Sequence, residues 1–326
     1  NKDFESLLLS NNIDYRIVYG SIEGRAGIIT KVKTLFKGRD YIQGLRADLV
    51  CSYTFFSALW LVLSGYQKKH IHYVLTKFSL LKNCMYYVFI RKNVDGLIIN
   101  SYFTKRSIFY QNQKNTSTCI LYSSLGIDSN QLSALSNLSV NGSSHGTTKC
   151  VIFVGRINPR KRVEDFLSMA MILNARKHNM MFKVVGAASS DVSSKYFSTI
   201  KKKAYSIKNL ELLGHRDDVL ELLQQSCCLV LPAIKEPYGR VLIEAIILKV
   251  PFVATTPGGP DEILSEFKHN KPGILVPSRD PEALANAVES VIDNKSEYTS
   301  DGLPEAFSDE SIINTEANYL MSVIKC

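Results

Sequence analysis

The chain has 326 residues, of which 45% are hydrophobic and 21% are charged, and its formal net charge is +9. These values exclude a disordered, collagenous or coiled-coil protein, and the length suits two domains better than one. The positive charge predicts an acidic partner, and composition alone leaves nucleic acid, an anionic membrane and a phosphorylated ligand open.

The cysteines indicate a reducing compartment. There are seven of them, none forms a Cys-x-x-Cys motif, and several lie in apolar runs. This pattern is typical of buried thiols in a cytosolic protein rather than of a disulfide framework or a zinc site. The sequence begins with Asn1 and shows no signal-peptide pattern. We therefore expect a cytoplasmic location.

The first part of the chain alternates strand-like and helix-like segments, as doubly wound α/β domains do. Strands are predicted at 15–19, 48–51, 72–75, 96–99 and 119–122. The uncharged run 49–65 reaches the lower length limit of a membrane span. Its small polar residues favour the other interpretation, a buried strand followed by a core helix from about Phe55.

A stretch rich in Ser, Asn and Gly at 129–148 predicts a linker. A second α/β series follows, with strands predicted at 151–154, 182–185, 210–213, 228–231 and 252–254. Their continuous apolar sequences suit a parallel sheet covered on both faces. Ligands of such sheets bind at the carboxyl ends of the strands, so two domains of this kind predict a cleft between them.

The predicted domains are an N-terminal one over 1–140 and a second one over 149–306. Residues 309–324 have helical spacing, and we expect the segment 307–326 to form a C-terminal helix that packs back toward the first domain.

A basic loop follows the strand that ends at Gly155. It carries four cations, among them Arg156 and Lys161, and a helix is predicted to begin near Val163. Arginine and lysine at the carboxyl end of a strand, beside a helix N-terminus, are typical of a phosphate site. The alternative is a solvated basic loop without a ligand.

Two glutamates, Glu236 and Glu244, flank a helix predicted to begin around Pro237. The free N–H groups of that helix could hold phosphate oxygens, and Gly239 would let a ligand approach closely. Eight residues span at most about 12 Å along a helix, so the two carboxylates could bracket a diphosphate. The alternative makes Glu236 a helix cap and Glu244 a surface residue, although Glu244 lies in an apolar run.

Two further loops join strands to helices. One contains Gly258 and Gly259, which permit close backbone approach. The other runs from Leu213 to Val219, where Asp217 or Asp218 is predicted to cap a helix. The chain contains no Asp-x-Asp motif, so the charge that holds a diphosphate would have to come from Arg156 and Lys161.

In this order and spacing, the four segments between about Cys150 and Ile292 resemble the C-terminal domain of glycosyltransferase family 4, retaining enzymes of the GT-B fold. The resemblance implies that Arg156 and Lys161 bind the donor diphosphate, that Glu236 faces the transferred sugar and that Glu244 binds the ribose. The catalytic set is then Glu236, Arg156 and Lys161. The implied donor-binding residues are Arg156, Lys161, Gly214, Arg216, Glu236, Tyr238, Gly239, Arg240, Val241 and Glu244.

The N-terminal half resembles the family less specifically, around 94–106 and 120–128. The family opens with a strand and a glycine-rich loop, whereas this chain is predicted to begin inside the following helix, either because it is a fragment or because that element is lost. Lys77 or a neighbour takes the place of a histidine that often follows the strand at 72–75.

The resemblance implies retaining transfer of a sugar from a UDP- or GDP-linked donor to a glycan or lipid-linked acceptor, in cell-surface polysaccharide or glycolipid synthesis. Neither a metal nor another cofactor is expected. The alternatives are a sugar-nucleotide epimerase or phosphorylase of the same fold, or a basic nucleic-acid-binding protein. The sequence shows no RNA- or DNA-binding motif, so nucleic acid is not the expected partner.

The excess charge lies in the first part of the chain. Residues 1–148 contain 17 Lys and Arg against 8 Asp and Glu, whereas residues 149–326 contain 22 of each sign. The segment Leu80–Lys92 mixes apolar, aromatic and basic residues, which suits the surface of an anionic membrane. We expect peripheral contact with the cytoplasmic leaflet through residues 1–148. The alternative is a core helix with cationic ends.

Overall fold

The computed structural model describes residues 47–77, 79–108, 116–125, 149–188, 191–300 and 302–325. The strand predicted at 15–19, the linker predicted at 129–148 and the start of the first domain lie outside the described residues. The chain divides into two compact units. Unit 1 comprises the described residues up to Ser124 together with those from Ser308 onward, and unit 2 runs from Leu125 to Phe307.

Unit 1 contains a four-stranded parallel sheet with its strands in chain order. The strands are β1 (Leu49–Ser52), β2 (Lys69–Val74), β3 (Gly96–Ile99) and β4 (Ser117–Ile120). The helices are α1 (Phe55–Leu63), α2 (Leu80–Met85) and α3 (Tyr102–Lys105). Helix α2 continues as a π-helical turn over Tyr86–Ile90 and a 3-10 turn over Arg91–Asn93. One face of the sheet packs against Phe55, Ala58, Tyr86 and Ile90.

The run 49–65 forms β1 and α1, as its small polar residues predicted. Thr54 caps α1 by accepting a hydrogen bond from the N–H of Ser57, and Phe55, Ala58 and Leu61 are buried. In the part of the chain that the structure describes, no helix has the length and hydropathy needed to cross a membrane.

Unit 2 contains a six-stranded parallel sheet in the order β10-β9-β8-β5-β6-β7. Its strands are β5 (Lys149–Val154), β6 (Met180–Val185), β7 (Leu210–Gly214), β8 (Cys228–Leu231), β9 (Phe252–Thr256) and β10 (Gly273–Pro277). Its helices are α4 (Val163–Ala175), α5 (Asp191–Ala204), α6 (Val219–Gln224), α7 (Arg240–Ile247), α8 (Gly259–Ser265) and α9 (Pro281–Asp293). The prediction of two doubly wound parallel-sheet units is confirmed, and β10 is a strand that the sequence analysis missed.

The strand order of unit 2 creates a switch point. From β5 the chain adds β6 and β7 on one side, then returns to add β8, β9 and β10 on the other. The loops that leave β5 and β8 therefore diverge at the carboxyl ends of these two neighbouring strands. In sheets of this kind the ligand crevice lies at that point.

The last helix, α10 (Asp309–Lys325), belongs to unit 1. Its residues Ile312, Leu320 and Val323 form a buried cluster with Ile71 and Ile98 on the second face of the four-stranded sheet. Two tyrosines tie the helix to the strands by hydrogen bonds. Tyr73 Oη donates to Glu316 at 2.5 Å, and the hydroxyls of Tyr319 and Ser117 lie 2.8 Å apart.

Two histidines are buried in unit 1 on either side of one serine. Ser52 Oγ lies 2.7 Å from His70 Nε2 and 2.9 Å from His72 Nδ1. His70 Nδ1 lies 3.2 Å from the carbonyl oxygen of Asn93. Burial lowers the pKa of each imidazole from 6.5 to about 4, because the charged form would lose its hydration.

This pair makes the stability of unit 1 sensitive to acid. As the pH falls, the two histidines bind protons in the unfolded chain before they do so in the folded chain. The free energy of unfolding therefore keeps its full value above pH 6.5 and decreases between pH 6.5 and about pH 4. Each histidine contributes at most about 3 kcal/mol to this loss. The single tryptophan, Trp60, lies on α1, and its fluorescence during urea unfolding at pH 7.5, 6.0 and 5.0 measures the effect. His72→Asn should flatten the pH dependence, and a wild-type midpoint that does not move with pH would contradict the prediction.

Candidate functional site

The site that the sequence predicts is assembled at the switch point of unit 2. The loop after β5 carries Arg156 and Lys161, and the loop after β8 carries Glu236. The backbone joins the two loops directly, since Ile234 N donates to the carbonyl oxygen of Arg160 at 2.8 Å. Residues that are 75 positions apart in the chain are thereby placed at one edge of the sheet.

The centre of the site is an ion pair between Lys161 and Glu236. Lys161 Nζ lies 2.9 Å from Glu236 Oε2, and the two side chains are only 12% and 10% exposed. Asn158 positions the lysine, because its Oδ1 accepts hydrogen bonds from the N–H groups of Arg160 and Lys161 at 3.1 and 3.2 Å. Glu236 gives no side-chain cap to α7. The alternative that made it a helix cap is therefore wrong.

The remaining cations of the loop divide into one that is engaged and two that are available. Arg162 binds Asp165 through two hydrogen bonds of 2.8 and 2.7 Å, which raise its pKa. Arg156 is exposed and Arg160 is half-buried. Neither forms an ion pair with a carboxylate among the described residues. Two guanidinium groups are thus left beside Lys161 for an anionic ligand.

The loop after β8 ends in a helix start that suits an anion. Tyr238 and Gly239 are buried, and Gly239 adopts the left-handed backbone conformation with φ 94° immediately before α7. The first turn of α7 contains no acidic residue. The positive end of the helix dipole is therefore not offset by an acidic side chain of that turn.

Glu244 has a partner, as a carboxylate in an apolar run should. Its Oε1 lies 3.0 Å from Arg240 Nε, one helical turn earlier, and its side chain is 14% exposed. Arg240 Nη2 also donates to the carbonyl oxygen of Leu125 at 3.0 Å. Val241, between them, is half-buried. Arg240 thus holds Glu244 in place, and Glu244 is not a free surface residue.

The loop with Gly258 and Gly259 packs against the backbone of the loop that carries Glu236. Gly259 N donates to the carbonyl oxygen of Glu236 at 2.7 Å. A β-carbon at Gly259 would lie 2.5 Å from the Cα of Tyr238. Asp261 fixes the turn by accepting from the N–H of Gly258 at 2.7 Å. The close backbone approach predicted for the two glycines is therefore observed between two loops of the protein.

The loop after β7 lies on the same edge of the sheet, two strands away from β5. Gly214 ends β7 with φ 70°, and its carbonyl oxygen accepts from Gly186 N at 2.7 Å. Arg216 is exposed and binds Asp218 through hydrogen bonds of 2.7 and 2.5 Å. They raise the pKa of Arg216 and lower that of Asp218. Asp218 precedes α6 without capping it by its side chain, so the predicted capping bond is absent there.

In unit 1, Lys77 follows β2, with its Nζ 5.7 Å from the centre of the Phe103 ring. The described residues contain no group of three or more His, Cys, Asp or Glu side chains placed to hold a metal ion. The sequence analysis also missed Asn158 as the residue that positions Lys161. Its place before Pro159 is the signal that could have found it, because Asn followed by Pro is typical of a helix start.

Solved structures with the same fold include that of Anabaena HepE in complex with UDP and glucose. It is 18% identical in sequence, has a TM-score of 0.75, and the alignment covers 98% of this chain and 89% of HepE. This similarity shows the GT-B fold.

Curated relatives match less than half of the chain. One is an uncharacterized glycosyltransferase of Methanocaldococcus jannaschii, MJ1607, 31% identical over 146 residues, which are 44% of this chain and 36% of that protein. Another is the capsular polysaccharide biosynthesis glycosyltransferase CapM of Staphylococcus aureus, 25% identical over 44% of this chain and 37% of CapM. The matched region thus spans little more than a third of these relatives.

A protein-family model also matches the sequence. The model described as glycosyl transferases group 1 matches residues 138–307. This range is more than half of the 326-residue chain and contains every residue of the site at the switch point. The protein therefore belongs to the family of glycosyl transferases group 1.

Proposed function

We propose that the protein is a retaining glycosyltransferase of family 4 that transfers a sugar from a nucleotide-diphosphate donor to a glycan or lipid-linked acceptor. The observation that carries the proposal is the buried Lys161–Glu236 pair at the switch point of unit 2. It places a cation and a carboxylate next to a helix N-terminus that has no acidic residue in its first turn.

In this proposal the diphosphate binds to Arg156, Lys161 and the N–H groups at the start of α7. These groups also stabilise the charge that grows on the leaving diphosphate during the reaction. Glu236 accepts hydrogen bonds from hydroxyls of the transferred sugar, and Glu244, held by Arg240, accepts them from the ribose. The backbone from Tyr238 to Val241 lines the sugar and phosphates, and the loop from Gly214 to Arg216 lies near the base.

The reaction step needs no nucleophile from the protein. The bond between the sugar C1 and the phosphate oxygen breaks, and its electron pair stays on the diphosphate. The acceptor oxygen forms the new bond to C1 on the same face of the sugar, and its proton passes to the leaving phosphate oxygen. Because Arg156 and Lys161 supply the positive charge, the proposal requires neither a metal ion nor another cofactor.

The donor in this proposal is a UDP- or GDP-linked sugar. The HepE structure with UDP and glucose supports the uridine nucleotide. The similarity to CapM supports a role in polysaccharide synthesis, and we place the protein in the cytoplasm, at the inner face of the membrane. Tyr53 and Tyr102, which follow β1 and β3 at the carboxyl edge of the unit 1 sheet, are exposed. Such amphipathic rings suit the apolar face of an acceptor sugar.

The proposal is tested by screening nucleotide sugars for binding and then for turnover. We expect one UDP- or GDP-linked sugar to raise the melting temperature of the protein and its affinity to fall at least tenfold in Arg156→Ala. Release of the nucleoside diphosphate should require an added acceptor. Conversion of the sugar without an acceptor would identify an epimerase instead, and the absence of binding to every nucleotide sugar tested would refute the donor site.

A further inference from the structure

The helical segment that begins at α2 presents an apolar face to solvent. Leu80, Leu81, Val88 and Phe89 are 69%, 70%, 63% and 47% exposed, and Cys84 between them is exposed as well. Residues four apart lie on one face of a helix, so Leu80, Cys84 and Val88 form a stripe with Leu81 and Phe89 beside it. We call these five residues the 80–89 patch.

The patch is on a well-anchored segment. Tyr86 and Ile90 are buried in the core of unit 1 with Val74 and Ile99. Asn83 is also buried, and its Nδ2 donates to the carbonyl oxygen of Ser107 at 3.0 Å. The segment therefore has an apolar inner face that packs against the sheet and a second apolar face that does not. An ordinary surface helix would have polar residues on the outer face.

The surroundings of the patch are basic. Between Asp48 and Asp95 the chain contains six lysine and arginine residues and no aspartate or glutamate. Lys77 and Lys92 are exposed and Lys82 is half-buried. The guanidinium carbon of Arg91 lies 3.7 Å from the centre of the Tyr87 ring. Exposed aliphatic side chains flanked in sequence by cations are complementary to a surface that is apolar inside and anionic outside.

We propose that the 80–89 patch is the surface by which the protein docks onto an anionic lipid bilayer. Leu80, Leu81, Val88 and Phe89 enter the boundary between headgroups and acyl chains, and the lysines contact lipid phosphates along their extended side chains. Each basic residue near such a surface adds to the attraction. The inference rests on the proposed function in one respect, which is that a lipid-linked acceptor would lie in the membrane onto which the protein docks.

The chemistry of the patch favours lipid over other anionic partners. A nucleic-acid surface would offer aromatic rings for base stacking and hydrogen-bonding groups for phosphates. The patch has one aromatic ring, that of Phe89, and the three most exposed of its large hydrophobic residues are Leu80, Leu81 and Val88. Their aliphatic side chains form no hydrogen bonds to a phosphate and bury well in acyl chains.

The test is sedimentation of the whole protein with vesicles. We expect binding to vesicles of phosphatidylcholine with 30% phosphatidylglycerol, at least tenfold weaker binding to phosphatidylcholine alone, and weakening between about 0.05 and 0.5 M salt, where charge screening becomes strong. The variant Leu81→Gln/Val88→Gln should reduce binding at least tenfold. The matched control is Tyr205→Ser, which removes an 88% exposed aromatic side chain from unit 2 and should leave binding unchanged.

A second measurement locates the contact. An environment-sensitive fluorophore on Cys84, in a Cys326→Ser background, should shift to shorter wavelength on anionic vesicles only. Full vesicle binding by the double variant, or equal binding to neutral vesicles, would overturn the proposal. So would a double variant that loses self-association or oligonucleotide binding instead. Binding of a nucleoside diphosphate, measured by calorimetry, should be the same in wild type and double variant. Its absence from both would count against the proposed function alone.

Discussion

Replacing Arg156 with alanine is expected to lower turnover about a hundred- to a thousand-fold while the protein remains folded. Removal of one group that stabilises developing negative charge has an effect of this size in other enzymes. Arg156 is exposed and makes no ion pair with a described carboxylate, so its loss leaves no buried charge behind. The measurements are steady-state turnover with the donor found in the screen and the urea midpoint of the same preparation.

Lys161→Ala should behave differently, although both residues are assigned to the diphosphate. It leaves the buried Glu236 carboxylate without its cation, and breaking such a pair costs about 3–5 kcal/mol of stability. We therefore expect loss of turnover together with a lower urea midpoint. Lys161→Ala/Glu236→Gln should regain part of the stability and none of the activity. Near-normal turnover in folded Arg156→Ala would remove the basis of the donor site, and an unchanged midpoint in Lys161→Ala would contradict the buried pair.

Gly259→Ala is expected to abolish donor binding and to destabilise unit 2. The added β-carbon would lie 2.5 Å from Tyr238 Cα and 2.6 Å from the carbonyl oxygen of Pro237. Both neighbours are backbone atoms, so the loop that carries Glu236 must move as a whole. Overpacking of this kind typically costs about 1–3 kcal/mol, and displacement of Glu236 disrupts its contact with Lys161.

The matched control is Gly302→Ala, because a β-carbon at Gly302 would meet no atom within 4 Å. Calorimetric titration with the nucleoside diphosphate should show binding to Gly302→Ala and none to Gly259→Ala. Thermal unfolding should give a lower melting temperature for Gly259→Ala than for Gly302→Ala. If Gly259→Ala bound the nucleotide as tightly as Gly302→Ala does, the glycine loop would have no role in supporting the site.

The sequence predicted most strands because their apolar runs are continuous. Cys228–Leu231, for example, is observed at the predicted position. Strand β10 was missed because Gly273 and Pro277 bound only three apolar residues, which resembles a turn. The strand order could not be read from the sequence either. It depends on which edge of the sheet each new strand joins, and every connection here is long enough to reach either side.

The residues of the site were identified through motif resemblance, but their contacts needed the structure. The Lys161–Glu236 pair joins two loops distant in sequence, and no local pattern predicts it. The Arg240–Glu244 pair could have been predicted, since residues four apart on a helix face each other. Arginine and glutamate in this order oppose the helix dipole, so the contact positions Glu244 without adding to helix stability.

The composition of unit 1 from two separate stretches of chain has a consequence for biosynthesis. Residues 125–307 leave the ribosome as one piece and can complete the core of unit 2 during translation. Ile71 and Ile98, on one face of β2 and β3, are buried only when Ile312 and Leu320 pack against them. These two residues are translated after unit 2. Unit 1 is therefore the last part of the nascent chain to mature, although its strands are made first. A chaperone that shields apolar sheet surfaces would find its target there.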